Sequence, residues 1–291
     1  MGVQSLRADL CDPQAAVAAC RDVDAVIHTA ALAGVWGPRQ RYEMINVHAT
    51  RHLLNAARQL GVGALVYSSS PSVTFDGRPQ SGVDESAPYP RRWLCDYPRT
   101  KAIAEREVLQ ANVAGGLRTC SLRPHLIWGT GDPHLIPRLI QRCRSGKLRR
   151  VGTGHNLIDT VHVEQAAQAH VLAMEQLLRG NASVAGRAFF ITDGDPVACW
   201  EWISRILASA GLDAPNRSLS LRAAYRIGLM LETIYRGLGI SSEPPMTRFV
   251  ALQLGVDHYF DIASAKSALG YAPLTQRHKA FDAMTPWIRQ L

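Results

Sequence analysis

Short apolar runs alternate with helix-period stretches through the first 125 residues. Ala25 to Thr29 (AVIHT) and Ala64 to Ser68 (ALVYS) have strand length and little polar alternation, so each predicts a strand buried on both faces. Gln4 to Leu10 and Leu117 to Arg123 are further strand-like pieces. Between them lie helix signals. Asp12 followed by Pro13 is an N-cap with proline at the first helical position, opening an Ala-rich helix to about Cys20. A second helix runs from about Gln40 to Leu60 and stops at Gly61, and a third from about Tyr97 to Ala111 follows a polar loop rich in Pro and Gly. Strands and helices alternating over short connections require right-handed crossovers and a parallel sheet. The expected fold class is α/β, a doubly wound parallel sheet.

After Pro124 the pattern changes. Helical stretches dominate: roughly 135–144, 164–178, 199–210, 221–238 and 262–269, interrupted by strand-like pieces near 148–151, 160–163 and 188–192. The expected division is a dinucleotide-type domain over 1–125, with a sheet return near 157–192. A smaller α+β lobe for substrate is expected over 126–156 and 193–291. The helix from Leu221 to Leu238 fits an apolar lid, a shallow membrane contact, or an amphipathic helix of the core.

Composition excludes several classes. At 47% hydrophobic and 19% charged residues over 291 positions, disorder and fibrous structure are out. No apolar run reaches membrane-spanning length, and the N-terminus lacks the basic and apolar regions of a signal peptide. Six dispersed cysteines without a C-x-x-C read as reduced thiols, and the ten histidines form no metal-ligand spacing, so no metal is expected. A cytoplasmic protein is expected. The net charge of +8 comes from Arg spread along the chain, without aromatic interleaving, so a solvated surface is the reading and nucleic acid is not an expected partner.

The sharpest chemistry is Ser70, Tyr97 and Lys101. Tyr97 and Lys101 are four apart on one predicted helix and share a face. With four lysines and eight tyrosines in the chain, chance supplies only about 0.1 such pair. An ammonium beside the phenol favours phenolate, so Lys101 is expected to lower the Tyr97 pKa and fit it for acid or base work at a carbonyl or carbinol oxygen. Ser70 follows a parallel strand, where α/β sheets bind ligands, and can hydrogen-bond the same oxygen. No G-x-S-x-G elbow surrounds Ser70, which argues against a serine hydrolase.

The stretches Val66-Tyr67-Ser68-Ser69-Ser70-Pro71-Ser72-Val73, Tyr97-Pro98-Arg99-Thr100-Lys101-Ala102 and Leu122-Arg123-Pro124-His125-Leu126-Ile127-Trp128-Gly129 resemble the extended short-chain dehydrogenase/reductases. Within them the chain is similar to the 3β-hydroxysteroid dehydrogenase branch, and most of all to the bacterial 2-alkyl-3-oxoalkanoate reductases. That narrower resemblance rests on Ala33-Gly34-Val35-Trp36-Gly37, Gly131-Asp132-Pro133-His134-Leu135 and Pro244-Pro245-Met246-Thr247-Arg248-Phe249.

The resemblance implies a Rossmann fold and an NAD(P)-dependent oxidoreductase, NADPH favoured, reducing a 3-oxo group or oxidising a 3-hydroxy group on a large apolar substrate. It implies catalysis by Ser70, Tyr97 and Lys101, with Tyr97 and Lys101 also touching the cofactor. Asp9 and Leu10 would lie beside the adenine, Thr29, Ala30 and Ala31 along the dinucleotide, Asn46 behind the active-site groups and His125 by the nicotinamide ring. It also implies a homodimer built on the Gln40 and Tyr97 helices.

One departure stands out. No strand, G-x-x-G-x-x-G turn and helix opens the chain, so the first βαβ unit, on the order of 50 residues, is expected to be absent. A misassigned start, a fragment, or a non-catalytic remnant that lost the nucleotide each fit, truncation or misassignment being favoured. A 3β-hydroxysteroid or sterol dehydrogenase and a nucleotide-sugar epimerase or dehydratase are the alternative activities.

Overall fold

The computed structural model describes residues 3–273 and 276–291; Met1 and Gly2, which open the chain, lie outside the described residues. Four parallel strands form the central sheet: β1 (Ala25–His28), β2 (Ala64–Ser68), β4 (Arg118–Pro124) and β9 (Ala188–Ile191), in that spatial order. The expected α/β class is what the chain adopts.

Alternation along β2 shows why. Leu65 and Tyr67 join Ala16, Leu53, Ala104 and Val108 in a core on one face, whereas Ala64 and Val66 join Leu122, Ala169 and Leu177 on the other. The first face is covered by α1 (Pro13–Ala19), α3 (Ala49–Gln59) and α4 (Asp96–Gln110), the second by α6 (Val163–Leu178) and α10 (Ala263–Leu269). Asp12 caps α1 as expected, its carboxylate accepting from Gln14 N at 2.9 Å.

The helix expected over 40–60 is continuous but not uniform. It consists of α2 (Arg39–Tyr42), a π-helical segment Glu43–His48 and then α3. A π segment widens the helix locally and leaves a backbone carbonyl without its ordinary partner. The Thr50 hydroxyl donates to Asn46 O at 2.8 Å.

A second sheet was not foreseen. It orders β10 (Val197–Ala198), β7 (Leu157–Ile158), β12 (His258–Phe260) and β3 (Gln80–Val83). Two-strand pairs join β5 (Ile127–Trp128) to β8 (Val161–His162) and β6 (Arg150–Val151) to β11 (Ser218–Leu219). Around Trp128, Ile136, Ile203 and Phe281, α5 (Leu135–Arg144), α7 (Cys199–Ser209) and α11 (Arg277–Ile288) build a separate core. The piece over 4–10, expected to be strand-like, has no strand partner among the described residues, so β1 hydrogen-bonds on one side only.

α8 (Leu221–Gly237) packs on α9 (Arg248–Gly255). Gly228 permits that approach: a Cβ there would lie 2.6 Å from Arg248 N. Glu232 takes the Arg248 guanidinium at 2.7 Å. The outward face keeps Leu229, Met230, Ile234 and Leu238 exposed. No helix among the described residues is long and apolar enough to cross a membrane.

Candidate active site

β2 ends at Ser68, and Ser70 then caps a 3-10 turn over Pro71–Thr74. Its hydroxyl sits 2.9 Å from the Ser72 hydroxyl. α4 begins at Asp96, which puts Tyr97 in the first turn and Lys101 one turn further on the same face. A cavity of about 450 Å³ opens where these elements meet, and Thr29, Ala31, Ser70, Tyr97, Lys101 and His125 all line it. Residues far apart in sequence thus converge at the carboxyl ends of β1, β2 and β4.

Lys101 is 1% exposed. Its ammonium donates to Ser68 O at 2.5 Å and lies 4.1 Å from the centre of the Tyr67 ring. Burial pushes its pKa down to about 7, against the pull of the Glu105 carboxylate. For Tyr97 the expectation needs correcting: burial raises its pKa, the nearby Ser70 hydroxyl only partly offsets this, and Lys101 is not what governs it. Desolvation outweighs the helical neighbour. A raised pKa favours the phenol, the form that can donate a proton.

Beneath the site lies a polar frame. Glu105, one turn beyond Lys101, is fully buried and paired with the buried Arg123 of β4 at 2.7 Å. Ser121 and Tyr89 also donate to it, at 2.9 and 2.7 Å. Burial works to raise the Glu105 pKa, but Arg123 and these donors hold the carboxyl below its usual range. Asn46 does not line the cavity. Its amide instead bonds Leu32 N at 2.7 Å, Leu32 O at 3.2 Å and the Thr100 hydroxyl at 3.0 Å, fastening the loop after β1 to α4.

Asp9, Leu10 and Ala30 also lie off the cavity. Asp9 is exposed and accepts from Cys11 N at 2.9 Å; Leu10 packs on the α1–α3 core; Ala30 is exposed. Sequence reasoning missed Ser72, Gln253 and the partner of His125. His125 Nε2 and His258 Nδ1 are 2.6 Å apart, and His258 Nε2 lies 2.7 Å from Gln253 O. A carbonyl only accepts, so His258 carries its proton on Nε2 and His125 donates to its Nδ1. Burial lowers the pKa of both, that of His258 to about 4. Glu105 had a signal, its position four residues after Lys101; Gln253 and His258 had none.

Each of the narrower motifs reaches the reaction cavity, through Ala33, His134 and Phe249, while Val35 to Gly37 line a different one of about 350 Å³ beside α8.

The model of the 3-beta hydroxysteroid dehydrogenase/isomerase family matches residues 1–221. The chain is 44% identical over 280 residues to the 2-alkyl-3-oxoalkanoate reductase of Shewanella oneidensis, covering 94% of this chain and 72% of that protein. Identity to the Stenotrophomonas maltophilia enzyme of the same name is 44% over 275 residues, covering 94% and 83%. The human sterol-4-alpha-carboxylate 3-dehydrogenase, decarboxylating, is 33% identical over 97% of this chain and 77% of its own. Among solved structures, MoeE5 in complex with UDP-glucose and NAD superposes with a TM-score of 0.72 at 26% identity, over 98% of this chain and 85% of that one. The chain belongs to the 3-beta hydroxysteroid dehydrogenase/isomerase family and is an oxidoreductase of the extended short-chain dehydrogenase/reductase type.

Proposed function

We propose that the protein reduces the 3-oxo group of a 2-alkyl-3-oxoalkanoate with NADPH, the reverse oxidation being its equilibrium counterpart. The observation that carries this is the convergence of Ser70, Tyr97 and Lys101 on one cavity, with Tyr97 held as a phenol. The described residues fit the nicotinamide end of the cofactor: Thr29 and Ala31 are small enough for close approach, and Lys101 offers an ammonium for the ribose. When bound, a nicotinamide supplies hydride exchange with the substrate carbon.

The chain's own groups do the rest. Ser70 holds the substrate oxygen, Tyr97 delivers a proton to it as it gains charge, and Lys101, anchored by Ser68 O, steadies the phenol and the ribose. Asn46 keeps α4 and the loop after β1 in register. Asp9 and Leu10 are assigned to the adenine side, Ala30 with Thr29 and Ala31 to the length of the dinucleotide, and His125 to the nicotinamide ring. The same reading gives 1–125 with the return near 157–192 to the cofactor, and 126–156 with 193–291 to the substrate.

Relatives named for 2-alkyl-3-oxoalkanoates at 44% identity favour this substrate class. Oxidation of a 3β-hydroxysteroid is the second reading, favoured by the family match and the sterol-named relatives. Purified protein is given NADP⁺ or NAD⁺ with either a 2-alkyl-3-hydroxy acid or a 3β-hydroxysteroid, and reduced nicotinamide is followed. Faster turnover of the hydroxy acid with NADP⁺ is expected; turnover of the steroid alone transfers the assignment, and failure to bind either nucleotide ends it. A homodimer over α3 and α4 belongs to the proposal and is read from the molar mass in solution. A shallow lipid contact by the outward face of α8 is read from co-sedimentation with anionic vesicles.

A further inference from the structure

The reaction cavity has an apolar neighbour. Between α5, α7 and α9 lies a second cavity of about 160 Å³, walled by Leu139, Ile158, Trp202, Ile203 and Leu254. Leu126 and Gln253 line both cavities. Leu126 holds φ at +43°, one of only two non-glycine residues with positive φ among those described. A leucine enters that region against its own Cβ, and such strain concentrates where a ligand must be shaped. Gln253 is fixed from the other side, since its carbonyl takes the His258 bond and His258 takes that of His125.

The wall between the cavities is therefore a braced threshold. Arg138 and Arg142, which also line the cavity, both bond the single carboxylate of Glu243, which offsets one of their two charges. Such a pocket offers water few partners, and an unfilled apolar void costs stability.

We infer that this second cavity is the subsite for one hydrocarbon chain of the substrate, with Leu126 and Gln253 as the threshold the chain crosses. The inference rests on the proposed reaction and adds to it where the alkyl chain goes. An apolar cavity of about 150 Å³ takes a benzene-sized guest, so this one holds on the order of six chain carbons. A flexible chain can turn past Leu126; a fused sterol nucleus is too wide and rigid for this space.

The test uses 2-alkyl-3-hydroxy acids in the oxidative direction, because the 3-oxo acids lose carbon dioxide spontaneously. As one chain grows from two to ten carbons, kcat/KM should rise about fourfold per methylene until the cavity is full and then level off. In Ile203→Trp, which fills the cavity, the long-to-short ratio of kcat/KM should fall at least tenfold. Turnover with a flat chain-length profile, or a ratio unmoved by Ile203→Trp, overturns the inference while leaving the reaction standing. Binding is read separately, without turnover, from quenching of tryptophan fluorescence by an ω-bromo hydroxy acid. Quenching that disappears in Trp202→Phe supports the subsite even if no substrate is turned over; quenching unchanged in that variant, or none at all, overturns it.

Discussion

The two ends of the sheet's carboxyl edge are built to different standards. At the β2–β4 end, the buried side chains of Lys101, Glu105 and Asn46 are tied to Ser68, Arg123 and Thr100, each on another element. At the β1 end, the exposed Asp9 carboxylate accepts from Cys11 N, Ala30 is exposed, and Ile27 is 38% exposed on a strand bonded, among the described residues, to β2 alone. The difference teaches that the Lys101 end is positioned by buried side chains reaching across elements, whereas the Asp9 end is held at the surface by fewer contacts, such as His52 Nδ1 to Leu10 O at 3.1 Å. Substitutions should therefore have graded effects across the edge.

The largest is expected at Tyr97. Tyr97→Phe removes the proton donor and should lower turnover by about 10²–10⁴-fold with the melting temperature unchanged, while Asp9→Ala should raise KM for the nucleotide and leave kcat near wild type. Steady-state kinetics on the two variants checks this; an equal loss of kcat in both would erase the contrast.

Next comes the frame. Arg123→Met strands a buried carboxylate and should cost about 3–5 kcal/mol in urea unfolding, and adding Glu105→Leu should recover most of it. A third effect is set by pH. His28 and His258 have folded pKa values lowered by burial to about 3 and about 4, so both stay neutral in the fold. Unfolded histidine binds a proton below about 6.5, so stability is full above that pH and should fall by roughly 1.4 kcal/mol per pH unit for each histidine as pH drops toward 4. Denaturation curves at pH 7, 6 and 5 measure the slope.

The smallest effect is reserved for β1. Ile27→Lys should change stability by less than about 0.5 kcal/mol yet reduce self-association through the open strand edge, as seen by light scattering.

Much of the sheet could be read in advance because AVIHT and ALVYS are unbroken apolar runs; β2 is buried on both faces as expected, but β1 is only partly so, with Ile27 exposed where no strand lies on its outer side among the described residues. The second sheet could not. Gln80 to Val83 has no alternation, His258 to Phe260 is three residues long, and their pairing crosses most of the chain. α9 hid because Arg248 to Gly255 has no clear polar face, and Pro286 interrupts α11. At the site, residue types and spacing pointed to Ser70, Tyr97 and Lys101, but spacing carries no information about desolvation, which is why the sign of the Tyr97 shift was misread. Asn46 was expected behind the reacting groups; its tie to Thr100 needed the three-dimensional arrangement to be seen.

The Glu105–Arg123 pair has a consequence for how the protein breathes. Separating α4 from β4 would pull Glu105 from Arg123 and leave a buried charge without its partner, so α4 has no inexpensive way to open alone. Its amides should exchange hydrogen only when the whole sheet unfolds, and the helix carrying Tyr97 and Lys101 then belongs to the slowest-exchanging unit. Whatever moves to admit a substrate is left to the turn at Pro71–Thr74 and to α9, neither of which is locked by a buried charge to the central sheet.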